Sequence, residues 1–296
     1  MTTNEPRCIH RHTIKTHPAC FAKGRVVQVE DEDMKKRIRT EAFPVGPYKR
    51  VNVAKEPWYQ VEGTKVGYCD IETSSFKANV GFMVSWAVKE KGGKVVYDEV
   101  TQKEVIGKQF DLRIVKSLLE ELRKYNVIVT YYGTRFDIPF IRTRAEYWYN
   151  RLREEKRVKL ANSNVKTLHK TLEKQLSDTK RVPSRLVKEE LIDLLLDRDD
   201  ELNDLLFPEL GTIYHWDLYY TVRNRFCLHR NSLGAVTEFF GIEGKTHLKP
   251  WEWELARIAD PDIMPVIEEH NIEDVIILER IHDIVNPYKK WTRRPL

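Results

Sequence analysis

The feature that most restricts the fold is an apolar segment at residues 66–73, VGYCDIET, that contains two carboxylates. The segment has the composition of a buried β-strand, and alternate side chains of a strand point to the same face. Asp70 and Glu72 therefore share a face, where each negative charge disfavours ionisation of the other. A divalent cation would compensate for this repulsion, whereas the alternative is a pair of solubilising carboxylates on an edge strand.

The composition limits the class of protein. A chain of 296 residues is long enough for one large domain or two modest ones. No run of about 18 apolar residues predicts a membrane span, and the N-terminus lacks the apolar core of a signal peptide. The four cysteines are too few for a disulfide scaffold, so a reducing, cytoplasmic setting is expected, the host cytoplasm if the protein is of phage origin. The formal net charge of +5 slightly favours polyanionic partners.

The order of predicted elements indicates an α/β fold with a mixed sheet. Strands are predicted at residues 66–73, 80–90, 94–101, 126–132 and 212–220. One helix is predicted to begin at residue 112 and another at residue 136, a third is predicted to end at Gly241, and the last spans residues 262–285. Residues from about 150 to 210 have a basic half followed by an acidic half, which is typical of a charged helical insertion. We expect residues 1–64 to form an N-terminal extension and residues 65–296 to form one domain that contains this insertion.

The last predicted helix carries ionisable residues on its apolar face. Apolar residues at helical spacing form one stripe from Ile263 to Val285, and His270 and Asp274 lie within it. Burying ionisable groups is costly, so such an interruption of the pattern often marks a functional site. The alternative is an i, i+4 pair at the rim of the stripe.

A further carboxylate, Asp137, follows Phe136 just after the turn that leaves the fourth predicted strand. A lone Asp in the first turn of a helix is explained by its interaction with the helix dipole. However, all of these ionisable residues are predicted to lie at one end of the sheet: Asp70 and Glu72 of the first strand, Asp137, and His270 and Asp274 of the last helix. Together they favour a divalent-metal site more strongly than any of them does alone.

Three motifs in these segments resemble a known family. DIET at Asp70, YYGTRFDIPF around Asp137 and HNIEDVIIL around His270 are similar to the exonuclease motifs of the DEDD, or DnaQ-like, 3′–5′ exonucleases of the RNase H-like superfamily. The likeness is closest to predicted ribonuclease H-like exonucleases related to the proofreading domains of family B DNA polymerases. It extends over about residues 66–284 and implies an RNase H-like mixed five-stranded sheet flanked by helices.

The resemblance also implies roles for five residues. Asp70, Glu72, Asp137 and Asp274 would be the metal-site acids, and His270 would orient or deprotonate the attacking water. Oxygen ligands suit two Mg²⁺ or Mn²⁺ ions. The implied activity is a metal-dependent 3′–5′ exonuclease on DNA that favours single-stranded ends. The alternatives are an RNA exonuclease or an endonuclease with the same site, or a non-catalytic nucleic-acid-binding protein.

The sequence departs from the family's pattern at two places. Tyr132 occupies the position four residues before Phe136 where the family usually has Asn, which affects the expected contact with the terminal nucleotide. The third motif combines features of two subclasses of the family. His270 precedes Asp274 by four residues, which is the spacing of the subclass that has tyrosine at this position, whereas histidine is typical of the other subclass.

Other polar residues have weaker interpretations. In the N-terminal extension, Cys8, His12 (or His10), His17 and Cys20 could hold Zn²⁺, although chance histidines in a solvated segment are the alternative. Lys245, Lys249, the basic half of the insertion and the C-terminal YKKWTRRPL segment could contact phosphates, although an exposed helix face and a solvated tail are the alternatives for the last two. Asp217, which ends the IYHWD part of the last predicted strand, is expected to be a turn or cap carboxylate, and the alternative is a position near the active edge of the sheet.

Overall fold

The computed structural model describes residues 63–176, 186–208 and 212–288, and the backbone of two short strands nearer the N-terminus. The chain divides into two compact units, Met1–Glu62 and Gly63–Leu296. In the first unit, β1 (Arg7–Cys8) pairs antiparallel with β2 (Val26–Val27). The side chain of Cys8 is not described, and His12, His17, Cys20 and the basic C-terminal segment lie outside the described residues. The zinc site therefore stays a prediction.

Within residues 63–288, the second unit is built on a mixed five-stranded sheet. Its strands are β3 (Val66–Thr73), β4 (Met83–Glu90), β5 (Val95–Glu99), β6 (Val127–Thr130) and β7 (Tyr214–Asp217). In the order β5-β4-β3-β6-β7, β4 is antiparallel to both of its neighbours, whereas β6 is parallel to β3 and to β7. The predicted α/β fold with a mixed five-stranded sheet is confirmed.

Helices flank this sheet. Before and within the insertion they are α1 (Gln102–Ile106), α2 (Leu112–Leu122), α3 (Asp137–Ala161), α4 (Val165–Gln175), α5 (Lys188–Leu196) and α6 (Asp200–Asn203). After β7 they are α7 (Leu218–Arg225), α8 (Leu233–Phe240), α9 (Pro250–Ala256) and α10 (Met264–Val285), followed by a 3₁₀ turn, Asn286–Tyr288. Among the described residues, none of these helices combines the length and apolarity that a membrane crossing requires.

Helix α10 lies against β3 and β4 and covers one face of the sheet. Contacts from α10 to Tyr68, Asp70 and Glu72 follow one another along β3, and the first is a 2.7 Å hydrogen bond between the Tyr68 hydroxyl and His282 Nδ1. The alternate residues of β3 point to the other face, where they join the main apolar core with α2. All residues of the predicted α10 stripe are buried: Ile263, Ile267, His270, Asp274, Leu278, Ile281 and Val285.

Several element boundaries differ from the sequence prediction. The strand predicted at 212–220 ends at Asp217, because the Asp217 carboxylate accepts a hydrogen bond from Tyr219 N at 3.1 Å and so caps α7. The short helix α1 was not predicted, although Thr101 and Glu104 form a capping box that starts it. Helix α3 continues to Ala161, so its second half forms the start of the insertion.

The insertion brings its two oppositely charged halves into contact. Its helices share a small apolar cluster that includes Leu168 of α4 and Leu191 of α5. Basic residues at the end of α3 pair with acidic residues that follow, as in Arg153–Asp197 at 3.0 Å and Lys156–Asp199 at 2.7 Å. This part of the charge pattern is therefore explained by ion pairs within the insertion.

A buried ion pair connects β4, α2 and α3. The Asp111 carboxylate, which is fully buried, accepts hydrogen bonds from Met83 N at 2.8 Å, from Trp148 Nε1 at 2.8 Å and from two nitrogens of Arg144 at 2.7 and 2.8 Å. Arg144 also donates to the Ala78 carbonyl oxygen at 3.0 Å. These bonds fix α3, whose first residue is Asp137, against the rest of the domain.

We expect Asp111→Ala to lower the free energy of unfolding by about 3–5 kcal/mol, because it leaves the Arg144 guanidinium buried without its partner. Urea unfolding followed by circular dichroism measures the change. Glu254→Ala is the control, since it removes an ion pair with Arg257 that is mostly exposed and should have a far smaller effect. Equal effects of the two substitutions would contradict this role of Asp111.

Candidate active site

The two carboxylates of β3 lie on the face covered by α10. Asp70 Oδ2 accepts a hydrogen bond from Asn271 Nδ2 at 2.9 Å, and Glu72 Oε1 lies 3.4 Å from His270 Nε2. Strand alternation places both acids on this face, as the sequence predicts. The helical stripe places His270 opposite them, so the strand and the helix face each other through their ionisable residues.

Three residues form a compact set of possible metal ligands. Glu72, His270 and Asp274 each offer an atom that lies within 4.8 Å of the atoms offered by the other two. His270 and Asp274 are buried, and the Glu72 side chain is only 12% exposed. Carboxylate oxygens with one imidazole are suitable donors for a divalent cation, and the carboxylates in particular suit Mg²⁺ or Mn²⁺.

Asp137 approaches the same region from α3. Burial raises the pKa of its carboxyl group, and hydrogen bonding to the backbone N–H groups of Asp137 and Ile71 offsets only part of this rise. Ile71 lies between Asp70 and Glu72 in β3, so Asp137 is beside the strand that carries the acid pair. It does not belong to the three-residue set of Glu72, His270 and Asp274.

The acids of this site are difficult to ionise in the metal-free protein. Burial, together with the charge of Asp274, raises the pKa of Glu72 to about 8. Burial raises the pKa of Asp137 to about 7, and burial followed by the charges of Glu72, Asp274 and Asp137 raises the pKa of Asp70 well above its ordinary value. A cation bound among these groups would favour their charged forms, so the site fits a divalent metal.

Two consecutive residues of the segment between α8 and α9 contact the ionisable pair of α10. Lys245 Nζ lies 2.6 Å from Asp274 Oδ1 and also contacts Oδ2. Thr246 Oγ1 lies 2.6 Å from His270 Nδ1. The Lys245 ammonium supplies a positive charge within the acid cluster, and its predicted contact with phosphate stays a prediction.

His270 is suited to be uncharged near neutral pH, because burial lowers its pKa. When Nδ1 carries the proton and donates a hydrogen bond to Thr246 Oγ1, Nε2 is unprotonated and can accept a hydrogen bond on the side of Glu72. The structure thus places the predicted histidine where it can orient a water molecule at the acid cluster.

Some predicted residues lie elsewhere or have other partners. Lys249 precedes α9, and its ammonium lies 5.9 Å from the centre of the Trp251 ring. Asp217 accepts hydrogen bonds from Tyr132 N at 2.8 Å and from Thr134 N at 2.9 Å. Together with its contact to α7, these bonds make Asp217 a turn and cap carboxylate, as expected.

Tyr132 has an unusual conformation. Its φ of 66° is in the left-handed region, which is uncommon for a large side chain, and 45% of the residue is exposed. Its ring packs edge-on against Tyr219, with centroids 4.8 Å apart. The residue that replaces the family's usual Asn thus presents an aromatic ring to solvent, five residues before Asp137.

Two further residues, Asn271 and Thr246, contact site residues without belonging to any of the predicted motifs. Asn271 adjoins His270 within the buried face of α10, so its position in the helical stripe was available as a clue. Thr246 lies in a segment without helical or strand periodicity, and only the fold brings it to His270.

The comparisons with known proteins agree with this class of fold. The chain belongs to the RNase H superfamily, whose family model matches residues 67–286. Membership supports a nuclease, with nucleic acid as substrate and divalent metals as the usual cofactors of RNase H-like nucleases. It also fits the resemblance to exonucleases related to polymerase proofreading domains.

Two DNA polymerases share local similarity with the chain. A DNA polymerase of Methanocaldococcus jannaschii is 35% identical over 60 residues, which are 20% of this chain and 4% of the polymerase. The structure of the family B DNA polymerase from the hyperthermophilic archaeon Pyrobaculum calidifontis is 18% identical, with a TM-score of 0.46. That match covers 76% of this chain and 25% of the polymerase chain, so this chain spans a quarter or less of the length of either polymerase.

The raised pKa of Glu72 predicts that the metal-free protein loses stability as the pH rises. Unfolding lowers this pKa from about 8 to its ordinary value of 4.5, so between these values the native state binds more protons than the unfolded state. The free energy of unfolding therefore falls with rising pH in this window. We expect the melting temperature in EDTA to be lower at pH 8 than at pH 6, and Mg²⁺ to raise it at pH 8.

Differential scanning fluorimetry of the wild type and Glu72→Gln tests this prediction. The substitution removes the titrating group, so the fall between pH 6 and pH 8 should be smaller than in the wild type. Glu269→Gln, which changes an exposed acid of α10, should leave the fall unchanged. An equal fall in all three proteins would show that Glu72 is not responsible.

Proposed function

We propose that the protein is a metal-dependent 3′–5′ exonuclease that hydrolyses phosphodiester bonds in DNA. The observation that carries the proposal is the largely buried set of Glu72, His270 and Asp274, with Asp70 and Asp137 beside it, in an RNase H superfamily domain. Buried carboxylates with raised pKa values are costly for stability, and a catalytic metal site accounts for them.

Asp70, Glu72, Asp137 and Asp274 would hold the Mg²⁺ or Mn²⁺ ions. When bound, such ions lower the pKa of water and stabilise negative charge on the leaving 3′-oxygen. His270 Nε2 would orient the attacking water and accept its proton, while Thr246 holds the opposite ring nitrogen. The Lys245 ammonium would attract a phosphate oxygen of the substrate to the edge of the cluster.

The proposed substrate is a single-stranded 3′ end. The acid cluster is largely buried, so a terminal nucleotide must leave its duplex partner to reach it. The exposed ring of Tyr132, near Asp137, offers a surface on which a base could stack regardless of its identity. These features support a nuclease with little sequence preference, and DNA is proposed over RNA.

Loss of a metal-site acid should abolish cleavage. We expect Asp70→Asn and Asp274→Asn each to reduce Mg²⁺- or Mn²⁺-dependent digestion of 5′-labelled single-stranded DNA by at least about 100-fold, because a metal ion contributes several kcal/mol to transition-state stabilisation. Glu269→Gln is the control, since it alters an acid that lies in the same helix as Asp274 but is exposed to solvent. Wild-type digestion by both Asn variants would remove the assignment.

A panel of substrates distinguishes the proposed activity from its alternatives. The wild type should shorten 5′-labelled linear single-stranded DNA stepwise, release mononucleotides and act more slowly on a blunt duplex of the same sequence. Cleavage of circular single-stranded DNA would identify an endonuclease, and faster digestion of the matching RNA would identify an RNA exonuclease. Tight binding without turnover in either metal would favour a non-catalytic nucleic-acid-binding protein.

A further inference from the structure

Asn271 is a fully buried amide at the centre of the interface between α10 and the sheet. Its Nδ2 donates to Asp70 Oδ2 at 2.9 Å, and its Oδ1 accepts from Ser85 Oγ at 3.3 Å. Ser85 is also buried and pairs with Glu72 across β3 and β4. One amide therefore connects the helix to both strands that form this face.

The direction of these bonds follows from the chemistry of Asp70. A metal ligand must be ionised, and an ionised carboxylate only accepts hydrogen bonds, so in the metal-binding form the amide nitrogen of Asn271 faces Asp70 and the amide oxygen faces Ser85, as in the structure. In the described part of the chain, no other donor forms a hydrogen bond with the carboxylate of Asp70. The bond from Asn271 occupies Oδ2 and leaves Oδ1 available to another partner.

Packing alone does not account for an amide at this position. The neighbouring residues of the α10 stripe are mostly apolar, and burying an amide costs free energy unless it is hydrogen-bonded. A leucine has the same branched arrangement of side-chain heavy atoms, although it is larger, and it has no polar group to satisfy. The amide has a clear use, however, if the carboxylate of Asp70 must keep one orientation.

We propose that Asn271 is a positioning residue that orients Asp70 for a divalent cation, while Ser85 orients the Asn271 amide. The inference rests on the metal site of the proposed function and extends it to a residue that is not itself a ligand. Residues that hydrogen-bond to metal ligands typically contribute 10–100-fold to metal affinity. Asn271 would act by holding Asp70 Oδ2, so that Asp70 does not have to be immobilised when the metal binds.

Isothermal titration calorimetry with Mn²⁺ in the absence of nucleic acid tests the proposal without relying on catalysis. We expect Asn271→Leu to weaken Mn²⁺ binding by about 10–100-fold, while its circular dichroism spectrum in EDTA matches that of the wild type and shows that it is folded. Asn271→Ala removes the amide and leaves a smaller side chain, and it should weaken binding in the same way. It replaces the Leu variant in the titration if the Leu variant does not fold. Glu269→Gln should bind as the wild type does.

A double-mutant cycle shows whether Asn271 acts through Asp70. Once Asp70→Asn has removed the ligand, adding Asn271→Leu should weaken Mn²⁺ binding little further, since the two groups act as one unit. Wild-type Mn²⁺ affinity in Asn271→Leu or Asn271→Ala, or full additivity with Asp70→Asn, would overturn the proposal.

The same titrations separate this inference from the nuclease assignment. If the wild type binds Mn²⁺ and Asn271→Leu weakens it, Asn271 has the proposed role even if no nucleic acid is cleaved. If the wild type cleaves DNA and both Asn271 variants bind Mn²⁺ normally, the nuclease assignment stands and the positioning role is wrong. Absence of Mn²⁺ binding by the wild type would overturn both.

Discussion

Repulsion among buried carboxylates is the constraint on which the rest of this structure depends. Where α10 crosses β3, Asp70, Glu72 and Asp274 are brought together with little access to water, and burial raises the pKa of both β3 acids. Such a cluster opposes folding unless positive charge or hydrogen-bond donors compensate for it. Lys245 supplies one charge, Asn271 supplies a donor, and a divalent cation would supply the remainder.

The topology of the sheet explains how distant segments converge on this point. β6 is parallel to β3 and adjacent to it, so the turn that follows β6 lies at the same end of the sheet as the last residues of β3. Asp137 begins the helix after that turn and therefore lies beside β3. The Asp111–Arg144 pair also holds this helix in place, so the stability of the core and the geometry of the site are connected.

The sequence predicted those parts of the site that have a regular period. Alternation in β3 placed Asp70 and Glu72 on one face, and the helical stripe placed His270 and Asp274 toward the sheet; the structure brings Glu72, His270 and Asp274 together. Contacts from irregular segments have no such period, which is why Thr246 was missed and the Lys245–Asp274 pair was not foreseen. Likewise, the strand-like composition of residues 212–220 concealed the change to helix at Asp217, which depends on the hydrogen bond that Asp217 makes to the next turn.

We propose that these acids form a pocket for a divalent cation. Anomalous diffraction from crystals grown with Mn²⁺ would locate such an ion without reference to any activity. We expect a strong peak in contact with the carboxylates of Glu72 and Asp274 and adjacent to Asp70. A fully occupied Mn²⁺ position elsewhere, with no peak between β3 and α10, would contradict it.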